Sequence, residues 1–194
     1  RPAELADLIA YLDASPSPWH AVAASVARLR AAGFTEVAEQ GAWSSVPDRG
    51  FVVRGGALVA WALGDSARPS SPLRIVGAHT DSPGLHVKPR PDTGAVGWKQ
   101  IAVEVYGGAL LNSWLDRDLG IAGHVALADG TVSLVRVDEP VARVPQLAVH
   151  LDRDVNEKGL VLDKQAHLTP VWGIGSPRDG EFREWLAGRT GVAT

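Results

Sequence analysis

The spacing of apolar residues changes period part-way along the chain, and that change limits the architectures open to it. Leu5, Leu8, Ile9 and Leu12 recur at i, i+3, i+4 and i+7, the stripe of an amphipathic helix. Ser15-Pro16-Ser17-Pro18 interrupts it. Ser17 suits the cap of a second helix, with Pro18 in the first turn where a missing N–H costs nothing. Val22, Val26 and Leu29 carry that helix to Gly33, which suits a left-handed terminator. Beyond it, short β-type segments take over. Phe51 to Arg54, the pair Gly55-Gly56 and Ala57 to Leu63 predict a hairpin with a primed turn. Leu73-Arg74-Ile75-Val76-Gly77 reads as a strand buried on both faces. Further strands are expected over 85–88, 98–106, 120–128, 131–137 and 146–151, with Asp129-Gly130 as a hairpin turn. A last helix is expected over 181–186, closed by Gly188. Helices and a buried strand followed by antiparallel strands predict an α/β chain of two domains, residues 1–88 and 89–194.

Charge and composition then exclude several classes. Nineteen Lys and Arg face twenty-two Asp and Glu, a net charge of −3, so nothing draws the chain to nucleic acid or an anionic membrane. The expectation is no nucleic-acid and no membrane partner. There is no cysteine. That removes disulfides, thiolate zinc sites and a cysteine nucleophile together, and leaves His, Asp and Glu as the strong metal ligands. It fits a reducing compartment, and a cytoplasmic location is expected. No run approaches the roughly 18 apolar residues of a membrane helix. The first residue is Arg1, which suggests a processed or trimmed product.

The segment richest in chemistry is Gly77-Ala78-His79-Thr80-Asp81-Ser82-Pro83. It follows the apolar segment, so His79 and Asp81 would stand at a strand's carboxyl end, where open α/β sheets place ligands. In extended backbone, residues two apart point the same way. One nitrogen of His79 could then bind a metal while the Asp81 carboxylate holds the other ring N–H, fixing the tautomer. The competing reading is a polar strand end in which His79 caps a turn. Asp116-Arg117-Asp118 could bind a metal or a substrate charge, or form an ion-paired turn. His150, alone in an apolar run, and His167 are either satisfied core histidines or ligands. His20 lies in a helix's first turn, and His86 and His124 interrupt strand patterns as surface residues. No Gly-x-Ser-x-Gly elbow is present, which weighs against an α/β serine hydrolase.

Five stretches in this order resemble the M18 family of metalloaminopeptidases, the aspartyl aminopeptidase group. They are Ser15 to Val22, Gly77 to Pro83, Tyr106-Gly107-Gly108, Trp114 to Leu119 and Pro145 to Leu151. The resemblance covers nearly the whole chain and is to the N-terminal half of such enzymes. It implies a two-metal, usually zinc, exopeptidase removing N-terminal, acidic residues from peptides. Its fold is an α/β sandwich catalytic domain interrupted by a β-rich dimerisation domain, with dimers building a tetrahedral dodecamer. It makes His79 a metal ligand and Asp81 its orienting partner. It maps His150 to a histidine described either as a metal ligand or as a group reaching a neighbouring subunit's active site; the second role suits a residue of an inserted domain better.

His86 and His124 stand where relatives usually carry Arg, so neither takes a family role. The bridging Asp, the Glu-Glu pair, a further acidic ligand and a C-terminal His of the family have no counterpart here. The expectation is therefore an incomplete half that binds zinc weakly and is inactive alone, two Zn²⁺ belonging to the complete site. The alternative, from another class, is an inactive oligomerisation or scaffold module of the same fold. A small metal site made by His79 and His150 themselves is a third reading, and it needs the two rings close together.

Overall fold

A computed structural model describes residues 2–192, which divide into two compact units between Ser82 and Pro83. The strand Gly84–Ala95 runs through Lys88 and Pro89, where the sequence places the domain boundary.

The first unit opens with two helices, α1 (Ala3–Asp13) and α2 (Pro18–Ala31). Ser17 is extended, and its Oγ accepts the His20 N–H, so α2 starts where its cap and proline dictate. At the other end the Gly33 N–H bonds to the Arg30 carbonyl and the Phe34 N–H to the Leu29 carbonyl, with Gly33 left-handed. That pair of bonds satisfies carbonyls the helix leaves open. The helices are tied by a Tyr11–Ser25 hydroxyl bond of 2.9 Å and an Arg28–Asp7 ion pair. The stripe of α1 is formed as expected, yet Leu5, Leu8 and Leu12 are exposed.

A three-stranded sheet follows, in the order β1 (Thr35–Glu36), β2 (Arg49–Arg54), β3 (Ala57–Ala62). β2 and β3 form the expected hairpin, turning at Gly55 with φ 55°. Phe51 is fully buried, and Ala21 and Val22 of α2 are buried with it in this unit.

The expected strand at 73–77 is not formed. Leu73, Ile75 and Val76 are 79%, 86% and 97% exposed, and no strand among the described residues pairs with them. A strand exists only by exchanging backbone hydrogen bonds with a neighbour, so apolar composition alone does not make one.

The second unit is built on a long hairpin of β4 (Gly84–Ala95) and β5 (Trp98–Tyr106). Pro89 and Pro91 lack the N–H a ladder needs, and the register slips between Val87 and Asp92. β8 (Val171–Ile174) extends this sheet in the order β4-β5-β8. A second hairpin joins β6 (Leu119–Ala126) to β7 (Val132–Ala142) around Asp129-Gly130, Gly130 having φ 83°. A short helix α3 (Val155–Lys158) and the helix α4 (Glu181–Thr190) complete the unit. α4 outruns the expected stop at Gly188 and ends at left-handed Gly191. The expected strand at 146–151 is also absent: the segment is a loop turning through Ala148 to Leu151, with Leu147, Val149 and Leu151 exposed.

Ile101, Val103, Ala142 and Phe182 form the core, flanked by Leu85, Leu119, Ile121, Trp172, Trp185 and Leu186. α4 is locked to the sheet by Asp92, whose carboxylate accepts the N–H groups of Gly180 at 2.9 Å and Phe182 at 2.8 Å. The slipped register of β4 thus sets a carboxylate at the positive end of the helix, where the cap residue Gly180 has no side chain to accept these N–H groups. Lys99 bonds Glu181 beside it and holds that carboxyl below the usual carboxylate range.

The β4–β5 turn carries strain. Val96 has φ 52° and Gly97 φ 79°. Both signs match a type I′ turn, but a β-branched residue resists the first of them. Val96 is 97% exposed, so no packing holds it there. Val96→Asn is expected to raise the unfolding free energy by about 1 kcal/mol, read as a higher urea midpoint at unchanged slope. A lower midpoint would show that the turn is not strained at this residue.

Candidate metal centre

His79 lies in the segment between the hairpin's polar loop and the end of the first unit, with its side chain 80% exposed. Its Nδ1 stands 2.7 Å from the backbone carbonyl oxygen of Asp81 and 3.5 Å from the Asp81 carboxylate. A carbonyl oxygen only accepts, so Nδ1 carries a proton, and in the neutral ring Nε2 carries the lone pair. The sequence assigns this orienting role to the Asp81 carboxylate; here the main chain of the same residue takes the N–H, and the carboxylate adds charge from just beyond bonding distance. Either way the imidazole presents a fixed nitrogen to solvent, as metal-binding histidines do. Between the two, Thr80 donates its hydroxyl to the Gly56 carbonyl in the β2–β3 turn at 2.7 Å. Sequence reasoning missed this tie; the alternation of side chains about His79 and Asp81 is the signal that could have found it.

Of Asp116, Arg117 and Asp118, the two acids are engaged within the second unit. Asp118 pairs with Arg143. Asp116 has φ 51°, donates its N–H to the Val144 carbonyl and accepts the Gln146 N–H on its carboxylate. Both acids therefore fix the chain that leads into the 146–151 loop. His150 stands on that loop, exposed, and is not a core histidine. His79 belongs to the first unit and His150 to the second.

The remaining histidines serve their own surroundings. His20 Nδ1 lies 2.7 Å from the Ser17 hydroxyl at the start of α2. His167 Nδ1 accepts the Asp163 N–H at 2.9 Å. The Asp163 carboxyl, in turn, is held below the usual range by the N–H groups of Ala166 and Gln165. His86 stacks on Tyr106, with ring centres 4.4 Å apart. A shallow hollow of about 440 Å³ lined by Ala109, Leu110, Leu111, Asn112, Leu160 and Leu162 has no titratable side chain and offers no chemistry.

Zinc sites take about four ligands, three of them from protein in catalytic sites. No group of three or more His, Asp or Glu side chains able to hold a metal occurs among the described residues. No helix among them is long and apolar enough to cross a membrane.

A family model described as aminopeptidase I zinc metalloprotease (M18) matches residues 11–184. A probable M18 family aminopeptidase 2 of Streptomyces coelicolor is 59% identical over 188 residues, covering 96% of this chain and 44% of its own length. The chain thus spans less than half the length of this curated relative. Among solved structures, the crystal structure of prApe1 is 28% identical with a TM-score of 0.82, covering 96% of this chain and 44% of that one. The mApe1 dodecamer of S. cerevisiae is 26% identical with a TM-score of 0.77, covering 98% of this chain and 45% of that one.

Proposed function

Since the chain belongs to the M18 peptidase family, a family of zinc metalloproteases, we propose that it is the N-terminal half of a zinc-dependent aminopeptidase and supplies one edge of that active site. The observation that carries this reading is the His79 imidazole, its side chain exposed and its Nδ1 proton held by Asp81, which leaves Nε2 as the donor nitrogen. In this role His79 is a metal ligand and Asp81 orients it. The other ligands and the general base lie on residues that this chain does not contain. Bound zinc, two ions in the complete site, would polarise the scissile peptide; this chain's own share is to hold one imidazole nitrogen in place.

His150 is assigned to the β-rich second unit as a group that reaches the active site of a neighbouring copy, with metal ligation as its less favoured role. Its exposure on a loop with apolar neighbours supports a position at a contact between copies. Assembly is proposed to run through residues 89–194 as dimers, and from dimers to a dodecamer of the kind formed by the S. cerevisiae relative. Peptides with an N-terminal acidic residue are the proposed substrates, and the cytoplasm the proposed location, in keeping with a chain free of cysteine.

A second reading, an inactive scaffold module, draws support from the absence of a three-donor cluster among the described residues. The two part on one assay. Incubated with zinc and a peptide bearing N-terminal Asp, the chain alone is expected to release nothing. The longer protein is expected to release the terminal residue and to lose that activity on His79→Ala. Release by the chain alone would overturn the half-site reading; full activity of His79→Ala would remove His79 from the site, and no release by the longer protein would leave the scaffold.

A further inference from the structure

The geometry points to Thr80 as the positioning residue for the His79 ring, acting through the carbonyl of Gly56. This inference rests on the reading of His79 as a metal donor. The segment 73–81 forms no strand pairing, and its apolar side chains stand in solvent, so packing does not fix its course. An unpaired segment would leave an exposed imidazole to wander, since each unrestrained residue keeps its backbone freedom. Thr80 counters this by donating Oγ1–H across 24 residues to the Gly56 carbonyl at 2.7 Å.

That acceptor is itself held. Gly56 lies in the two-residue turn between Arg54 and Ala57, which pair across β2 and β3. A Cβ at Gly56 would stand 2.9 Å from Pro18 Cβ, so the turn seats directly on the first residue of α2. Pro18 is set in turn by the Ser17 cap. A line of contacts therefore runs from the α2 cap through Pro18 and Gly56 to Thr80, the residue next to His79. Only glycine allows the close approach at position 56.

The test is nitrogen–proton correlation of the histidine rings by NMR, on the whole chain without metal, at a fixed pH of about 8 where imidazole is neutral. His79 in the parent chain is expected to show a single tautomer, protonated on Nδ1. His167, whose Nδ1 accepts the Asp163 N–H, gives the opposite pattern in the same spectrum. Thr80→Val removes the donor at nearly constant shape and is expected to turn the His79 pattern into an averaged one, with His20 and His167 unchanged. Thr80→Ser restores a hydroxyl and is expected to restore the single tautomer.

Should Thr80→Val also disturb His20, which reports the first unit's fold, Thr80→Ala carries the test instead. It removes the donor while Gly56 keeps its seat on Pro18 and the Ser17 cap stays native, and it is expected to disturb His79 alone. An unchanged His79 pattern in Thr80→Val or Thr80→Ala overturns the role of Thr80 and leaves the reading of His79 standing. An averaged or Nε2-protonated His79 in the parent chain overturns both.

Discussion

Phe182→Ala is expected to lower the stability of the second unit by about 3–5 kcal/mol. Phe182 is 3% exposed and sits in the core with Ile101, Val103 and Ala142. Its ring meets Trp172 edge-on at 5.7 Å and lies near-parallel to Trp185 at the same distance. Truncation removes the transfer energy of the ring and leaves a void that two indoles cannot close by rotating a single bond. The Phe182 N–H still reaches Asp92, so the cap of α4 survives and the loss reports packing alone. Folded domains are stable by about 5–15 kcal/mol, so the variant would stand near the edge of unfolding. Urea denaturation followed by tryptophan fluorescence measures it, since Trp172 and Trp185 lie beside the lesion. Ile174→Ala is the control: Ile174 is as apolar but 82% exposed, and its loss is expected within about 0.5 kcal/mol of zero. Equal effects from the two would mean that α4 does not pack on the sheet as described.

Where local chemistry decides structure, the sequence carries it. The Ser17 cap, the Gly33 terminator, the Gly55-Gly56 turn and the strand at 98–106 all appear where residue pattern places them. Such features depend on residues within one turn or one strand of each other. Failures share a different cause. Leu73 to Val76 and Gln146 to Leu151 have strand composition but no pairing partner among the described residues, and a strand's existence is a property of its neighbour. The cap of α4 was illegible for the same reason: Asp92 lies 88 residues from Gly180, and only the slipped register of β4 brings it there. Pro89 and Pro91 foretell an interruption in that strand, but not the direction in which it re-aims Asp92.

The candidate site divides along the same line. The proximity of His79 and Asp81 is legible from their spacing, because two residues flanking one position can meet without any distant partner. Which atom of Asp81 takes the ring N–H is a matter of a few tenths of an ångström and of backbone course, and only coordinates reveal that the carbonyl does so at 2.7 Å. The acids at 116 and 118 show the converse. Their composition suits a metal, yet Arg143 and the Gln146 N–H have already engaged them.

Zinc affinity puts the half-site reading to its sharpest trial. A complete structural zinc site contributes about 10–16 kcal/mol, which corresponds to a Kd of tens of nanomolar or tighter. That energy requires several donors closing on one ion, each deprotonated and already oriented. His79 offers one oriented nitrogen, and no group of three donors accompanies it among the described residues. One imidazole must compete with water for an ion it cannot enclose, so the affinity should fall by orders of magnitude. The deciding measurement is calorimetric titration of the chain with zinc at neutral pH. The expected result is no tight, stoichiometric step, in the parent chain and in His79→Ala alike. Two zinc ions bound tightly per chain would contradict it, because the chain would then hold a whole metal centre rather than one side of it.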